Sequence, residues 1–312
     1  MKYCKIPIAA LFFLVFAVIL SGCQGIMMIE SLIPSPDAVI PGSFTYRLLD
    51  SHQVDGRQGI ACDGENYYVS GSLVLLKYDE NWKLIAKNDH PFDGTAIEVD
   101  HLADIDVYGG DVYACAELFR DGRGTNIQML VYDGNSLELK RSLSFEPDSG
   151  QLECSGIAVD PDHQLIWMSS WAGEDSGRYL YKYDLRTGIY MGKVHLQPQP
   201  QWIQGIAYHE GFIYITADDG TADLSEADHL YKIKVESSAT SAQVTLEKTF
   251  DDVVMQGEIE GLTMDTTKKQ LLILYNRGQR ILNGMPADFY EGYDREISEI
   301  YIYKMKAKTE GE

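Results

Sequence analysis

A chain of 312 residues, 45% apolar and 23% charged, can bury one large β-architecture or two ordinary domains. Its formal charge of −21 repels phosphate backbones, which argues against nucleic acid as a partner; it attracts cations, cationic ligands or basic protein surfaces. The plainer account of the acidity is that it keeps a secreted protein soluble.

The first 22 residues read as a secretory signal: Lys2 and Lys5, an apolar run from Ile6 to Leu20, then small residues. The run is short for a membrane span. "LSGC" (Leu20 to Cys23) resembles the bacterial lipobox, which implies cleavage before Cys23 and diacylglycerol on its sulfur. Acyl chains would then hold the protein on a membrane face outside the cytoplasm. An ordinary signal anchor is the alternative. Residues 23–42, with Pro34, Pro36 and Pro41, read as a tether, and residues 307–312 as a charged tail.

Residues 43–306 repeat one phrase with a period of about 50 residues, inside the range of propeller blades. "QGIACDGENYYVSG", "LADIDVYGGDVYACAEL", "SGIAVDPDHQLIWMSSW", "QGIAYHEGFIYITADD" and "EGLTMDTTKKQLLILYN" open the units. Each predicts four strands. Strand A is small and apolar. Turns follow at Asp63-Gly64, Gly109-Gly110, Asp160-Pro161 and Glu210-Gly211, where Gly tolerates positive φ and Asp caps its own backbone. Strand B is aromatic and β-branched. Strand C ends in Tyr-Asp at Tyr78-Asp79, Tyr132-Asp133 and Tyr183-Asp184, and the more polar strand D suits an edge. The fifth unit stops at its strand C, 299–304. The spare strand 43–51 would pair beside it and close the ring. The expectation is all-β: one propeller of five four-stranded blades, or six if 43–51 begins a further blade.

"GIAVDPDHQLIWMSS" and "YKYDLRTG" resemble the repeats of bacterial extracytoplasmic β-propellers of the YVTN, NHL and WD40-like superfamily. The resemblance spans nearly all of the chain after Gly42 and bears on architecture. The Gly-His and Trp-Asp signatures of true WD40 repeats are missing, as are the complete metal-ligand patterns of gluconolactonase-like propellers.

Propeller geometry puts residues just before strand A and just after strand B around one mouth. The first ring reads Arg57, Gln58, His101, Asp104, Glu153, Ser155, Gln204, Glu258 and Glu260; the second Ser70, Glu117, Ser170, Trp171, Asp218, Asp219, Asn276 and Arg277. The B-to-C loops 117–126, 171–178, 218–228 and 276–296 sit there too, the last with Phe289, Tyr290, Tyr293 and Arg295. Long loops grouped on one face of a rigid scaffold are where binding usually resides. Glu153, Glu260 and Asn276 are hard oxygen donors suited to Ca²⁺ or Mg²⁺; the competing reading is that such groups hydrogen-bond to channel water. His101 is a candidate general base, or only a hydrogen-bonding group. No GxSxG, HExxH, P-loop or GxGxxG is present. "DDGTADLSEAD" (218–228) has the acid density of a calcium loop without EF-hand spacing. Cys62, Cys115 and Cys154 are an odd set in the mature chain. Cys115 and Cys154 fall on one face of neighbouring units, where a disulfide or buried free thiols would fit.

Two function classes follow. One is a non-enzymatic binding module for a small molecule, glycan or envelope protein at the mouth. The other is a Ca²⁺- or Mg²⁺-dependent hydrolase of an ester, lactone or phosphate.

Overall fold

A computed structural model of the chain describes residues 43–308, apart from 121–122, 172–174, 237, 254–256 and 283–284. The expected signal, the lipidation site Cys23, the tether and most of the charged tail lie outside the described residues.

Strands B and C carry apolar residues on both faces, so each sheet must be covered on both sides. Five sheets in a ring satisfy this, each covering its neighbour. Blade 1 is Gly59–Cys62, Tyr67–Gly71, Val74–Tyr78 and Leu84–Asn88; blade 2 is His101–Tyr108, Asp111–Arg120, Arg123–Asp133 and Leu139–Ser144. Blade 3 is Ile157–Asp160, Leu165–Met168, Tyr179–Asp184 and Tyr190–Gln197; blade 4 is Ile203–His209, Phe212–Ala217, His229–Lys234 and Thr245–Thr249. Blade 5 is Glu258–Asp265, Gln270–Arg277 and Ile297–Ala307, completed by Phe44–Val54.

The hydrophobic core divides into five clusters, one at each blade–blade interface. Strand B of blade 3 shows how the pleat divides it. Ile166 and Met168 face blade 2, while Leu165 and Trp167 face blade 4. Trp167 is fully buried, and its indole N–H donates to Asp160 Oδ2 at 3.2 Å, so no polar atom of the ring is stranded.

The turns follow the expected chemistry. Asp63 Oδ1 accepts the N–H groups of Glu65 (2.8 Å) and Asn66 (2.6 Å), and Gly64 takes φ +92. In the Tyr-Asp turns, Asp133 Oδ1 accepts from Asn135 and Ser136 at 2.9 Å, and Asp184 Oδ1 from Thr187 at 2.8 Å.

The ring closes between the ends of the described chain. Phe44–Val54 pairs antiparallel with Ile297–Ala307, from Phe44 opposite Ala307 to Val54 opposite Ser298, with a bulge near Leu48–Asp50. Blade 4 anchors this strand. Buried Glu247 accepts the N–H of Ser43 (2.9 Å), the N–H of Phe44 (3.0 Å) and the hydroxyl of Tyr46 (3.0 Å).

Three features depart from the sequence reading. The described residues of 117–126 are strand rather than loop, because strands B and C of blade 2 continue to Arg120 and from Arg123 as an extended ribbon. The 276–296 loop contains a hairpin, Gln279–Leu282 with Met285–Phe289. Ser241–Gln243, between strands C and D of blade 4, pairs in parallel with strand D of blade 3 and makes a fifth strand there, beyond the four expected. Cys115 and Cys154 are fully buried and carry free thiols, as does partly buried Cys62.

Candidate functional site at the channel mouth

In four blades a polar residue and a glycine stand at or near the start of strand A: Gln58-Gly59, Ser155-Gly156, Gln204-Gly205, Glu260-Gly261. Blade 2 has Asp104 where the others have glycine. The axis of a five-bladed ring is narrow, and a Cβ on Gly261 would stand 2.7 Å from Gly59 Cα, one on Gly205 2.6 Å from Gly261 Cα. The glycines leave room for one side chain, and Asp104 takes it. Asp104 Oδ2 accepts the N–H groups of Ile206 (3.1 Å) and Ile157 (3.4 Å), from two other blades. Oδ1 is buried with no hydrogen-bond partner. Burial pushes this carboxyl well above the usual carboxylate range. Asp104, expected at the mouth, is therefore an axial plug. A bulge in strand A between Leu102 and Ile105 breaks the alternation there and turns its side chain inward.

Above the plug lies a cavity of about 230 Å³ to which every blade contributes: Arg57 and Gln58, His101, Glu153 and Ser155, Gln204, then Glu258 and Glu260, with Trp171 at the rim. Phe119 and the hairpin residues Ile281, Met285 and Pro286 complete it. Arg57 is the hub. Its Nε donates to Glu296 Oε1 at 2.6 Å, and Nη2 lies 3.5 Å from Glu258 and 3.9 Å from Glu260. Gln204 donates to Glu258 Oε1 at 2.8 Å. Burial raises Glu258, with Arg57 pulling against it; burial and the charge of Glu258 hold Glu260 well above the carboxylate range. His101 packs on Phe119 with ring centroids 5.4 Å apart. Burial, then Arg57, drives its imidazole down to about 4, so it is neutral at pH 7.

Other ring residues lie outside the cavity. Ser70 Oγ donates to Ala103 O at 2.6 Å, and Thr216 Oγ1 to Glu260 O at 2.7 Å. Asn276 Nδ2 donates to Arg57 O at 3.0 Å. Each joins the end of strand B to strand A of the next blade. The same Asn276 amide donates to Glu260 Oε1 at 2.5 Å, and its oxygen accepts from Ser298 at 2.9 Å. Asn276 thus links blades 5 and 1. Glu117 is fully buried under Gly124, accepts the N–H of Cys154 at 3.0 Å, and is raised well above the carboxylate range by burial and then by Glu153. Glu153 accepts the backbone N–H of Trp171. Arg277 turns outward to Glu299 at 2.8 Å. Among the described residues, no group of three or more His, Cys, Asp or Glu is placed to hold a metal ion.

A second cavity, about 300 Å³, adjoins the first and shares Trp171 and Ile281 with it. Asp218 lines it together with Asp228, Trp202 and Tyr290. Trp202, Phe119, Asp228 and Glu296 were not singled out from sequence. Trp202 lies two residues before Gln204, so the same before-strand-A position marks it. Asp228 ends the acid-dense run 218–228, which marks the loop but not that residue.

Fold and site together define a five-bladed β-propeller with an acidic, aromatic-rimmed mouth. No protein-family model matches the chain, and no curated protein matches it in sequence. Among solved structures, Kuenenia stuttgartiensis hydrazine synthase is similar at 10% identity with a TM-score of 0.44, covering 82% of this chain and 67% of that one. A likeness of that size says nothing of what this chain binds.

Proposed function

We propose that this propeller is a binding module that takes a small polar ligand in the mouth cavity. The observation that carries the reading is convergence: Arg57, His101, Glu153, Gln204 and Glu258, one from each blade, line a single space. A cavity of about 230 Å³ suits a small molecule, or one residue of a glycan or protein, rather than a broad surface. The rigid ring fixes the groups in advance, which lowers the ordering cost of binding. We place the protein in the bacterial envelope, outside the cytoplasm, with acyl chains on Cys23 as the anchor; "LSGC" supports this. Labelling with a clickable fatty acid, lost in Cys23→Ser, tests the anchor.

A thermal-shift screen of small sugars, amines, amino acids and carboxylates tests the site, because a ligand that binds only the folded state raises the melting temperature. The shift is expected to vanish in Arg57→Ala and Gln204→Ala. A shift produced by Ca²⁺ or Mg²⁺, reversed by chelator and absent in Glu260→Ala, would instead support the metal-dependent hydrolase.

A further inference from the structure

Two independent features meet in the cavity beside the mouth. The first is a pair of indoles: Trp171 and Trp202 have ring centroids 4.9 Å apart at 40°, and both line the space. Trp202 is 41% exposed and held at φ +53, and its carbonyl accepts the N–H of Asp218 at 3.0 Å. That backbone region is uncommon for a bulky residue. An exposed indole kept there does little for the core. The second feature is a pair of carboxyls without a basic partner. Asp218 and Asp228 line the same space, Asp228 oriented by the N–H of Gly220 at 3.1 Å, and no lysine or arginine is among the described lining residues. Nearby Arg280 is engaged by both carboxylate oxygens of Asp223, at 3.1 and 2.5 Å. Asp219 is taken up by His229 (2.8 Å) and Tyr231 (2.6 Å).

Aromatic faces present negative quadrupoles. Burial and then Asp228 raise Asp218 well above the carboxylate range, and burial pushes Asp228 up to about 8, so both are protonated at neutral pH in the empty cavity; an entering cation favours the ionised form, and the protons leave to solvent. A cavity built of indole faces and such carboxyls, with no resident cation, is complementary to an organic cation and to neither an anion nor a neutral hydrocarbon. We propose that the cavity bounded by Trp171, Trp202, Asp218 and Asp228 is a subsite for the ammonium group of an alkyl- or quaternary-ammonium compound. It deepens the mouth-binding reading and rests on it: the rest of such a ligand reaches the mouth past Trp171, which both cavities share. A bare metal ion fits less well, since indole faces are not oxygen ligands.

The test is calorimetric titration of the full chain with choline and with its neutral isostere 3,3-dimethylbutanol. Choline is expected to bind saturably, and the isostere at least tenfold more weakly. Trp202→Ala and Asp228→Asn should each weaken choline about tenfold, and Trp202→Phe should retain most of it. Exposed Trp202 tolerates replacement, and Asn keeps the shape of Asp228, so circular dichroism should show both variants folded. Equal binding of the isostere, no choline binding, or choline binding unchanged in both variants would overturn the subsite. A screened mouth ligand that still shifts the melting temperature in an Arg57-dependent way would leave the mouth reading standing in that case. Loss of the Arg57 dependence would remove the mouth reading instead.

Discussion

Lys232 Nζ lies 2.8 Å from Glu247, with the lysine side chain 2% exposed and the glutamate not exposed at all. The same lysine donates to Ser43 Oγ at 2.5 Å, so one buried ion pair in blade 4 holds the start of the strand that closes blade 5. Removing one partner strands the other in a low-dielectric interior. Lys232→Met alone is expected to cost about 3–5 kcal/mol, and the double change Lys232→Met with Glu247→Leu to recover a large part of it. Urea denaturation of the two variants checks this. Equal losses in both would mean that the pair matters through its Ser43 and Phe44 contacts and not through its charges.

The axial plug gives a second prediction. Asp104→Asn keeps the acceptor for Ile157 and Ile206 and should change stability by less than about 1 kcal/mol, whereas Asp104→Ala leaves those N–H groups buried and unpaired at about 1–3 kcal/mol. Gly261→Ala should cost about 1–3 kcal/mol or more, because its Cβ meets the Gly59 backbone as well as Asp104 Oδ1, and the backbone cannot swing aside. Thermal denaturation of the three variants separates them; a tolerated Gly261→Ala would contradict the crowded axis.

The buried carboxyls set a pH dependence. Burial pushes Asp106 up to about 6; burial, then Asp219 and Glu258, pushes Asp228 up to about 8. Burial raises Asp104, Glu117 and Glu260 well above the carboxylate range too. Their folded-state affinities for protons exceed those of the unfolded chain, so the stability they contribute is complete below about pH 4 and is lost as pH rises through about 8. The opposite limb comes from carboxylates such as Asp133 and Asp184, held low by donors in their turns, and it acts only at more acidic pH. The melting temperature is therefore expected to be higher at pH 5.5 than at pH 8.5. Asp228→Asn should flatten that slope. A flat or rising profile across this range contradicts the assignment of buried, protonated carboxyls.

Much of this fold is written locally. The Gly-Ile-Ala openings, the Asp-Gly and Tyr-Asp turns and the spare strand at 43–51 each report a nearby requirement, and together they specify five blades and their closure. The closing pair is longer than expected, 44–54 with 297–307, because the strands run on past the apolar core as far as their pairing continues. Site residues were legible as ring positions but not as directions. Strand A is bulged near Leu102–Ile105, Ile203–Gly205 and Ile259–Leu262, and each bulge resets which residues face the channel. The bulged strands place Gln204 and Glu258 at the mouth and Asp104 in the axis, whereas Gln58 stands just before an unbulged strand A. Residues after strand B depart for another reason. Ser70 and Asn276 meet carbonyls of the adjacent blade, which no single repeat encodes. The hairpin at 279–289 and the strand Ser241–Gln243 depend on partners supplied by other blades or by the loop itself.

The far mouth offers a competing space of about 460 Å³, lined by Asp106, Tyr208 and Asp265 among others, so ligand location is the decisive question. Binding of one ligand from the screen, measured by calorimetry in Arg57→Ala, Gln204→Ala and Tyr208→Phe, answers it most directly. We expect at least tenfold loss in the first two variants and none in the third. Retained binding in Arg57→Ala and Gln204→Ala with loss in Tyr208→Phe would put the ligand at the opposite end of the ring.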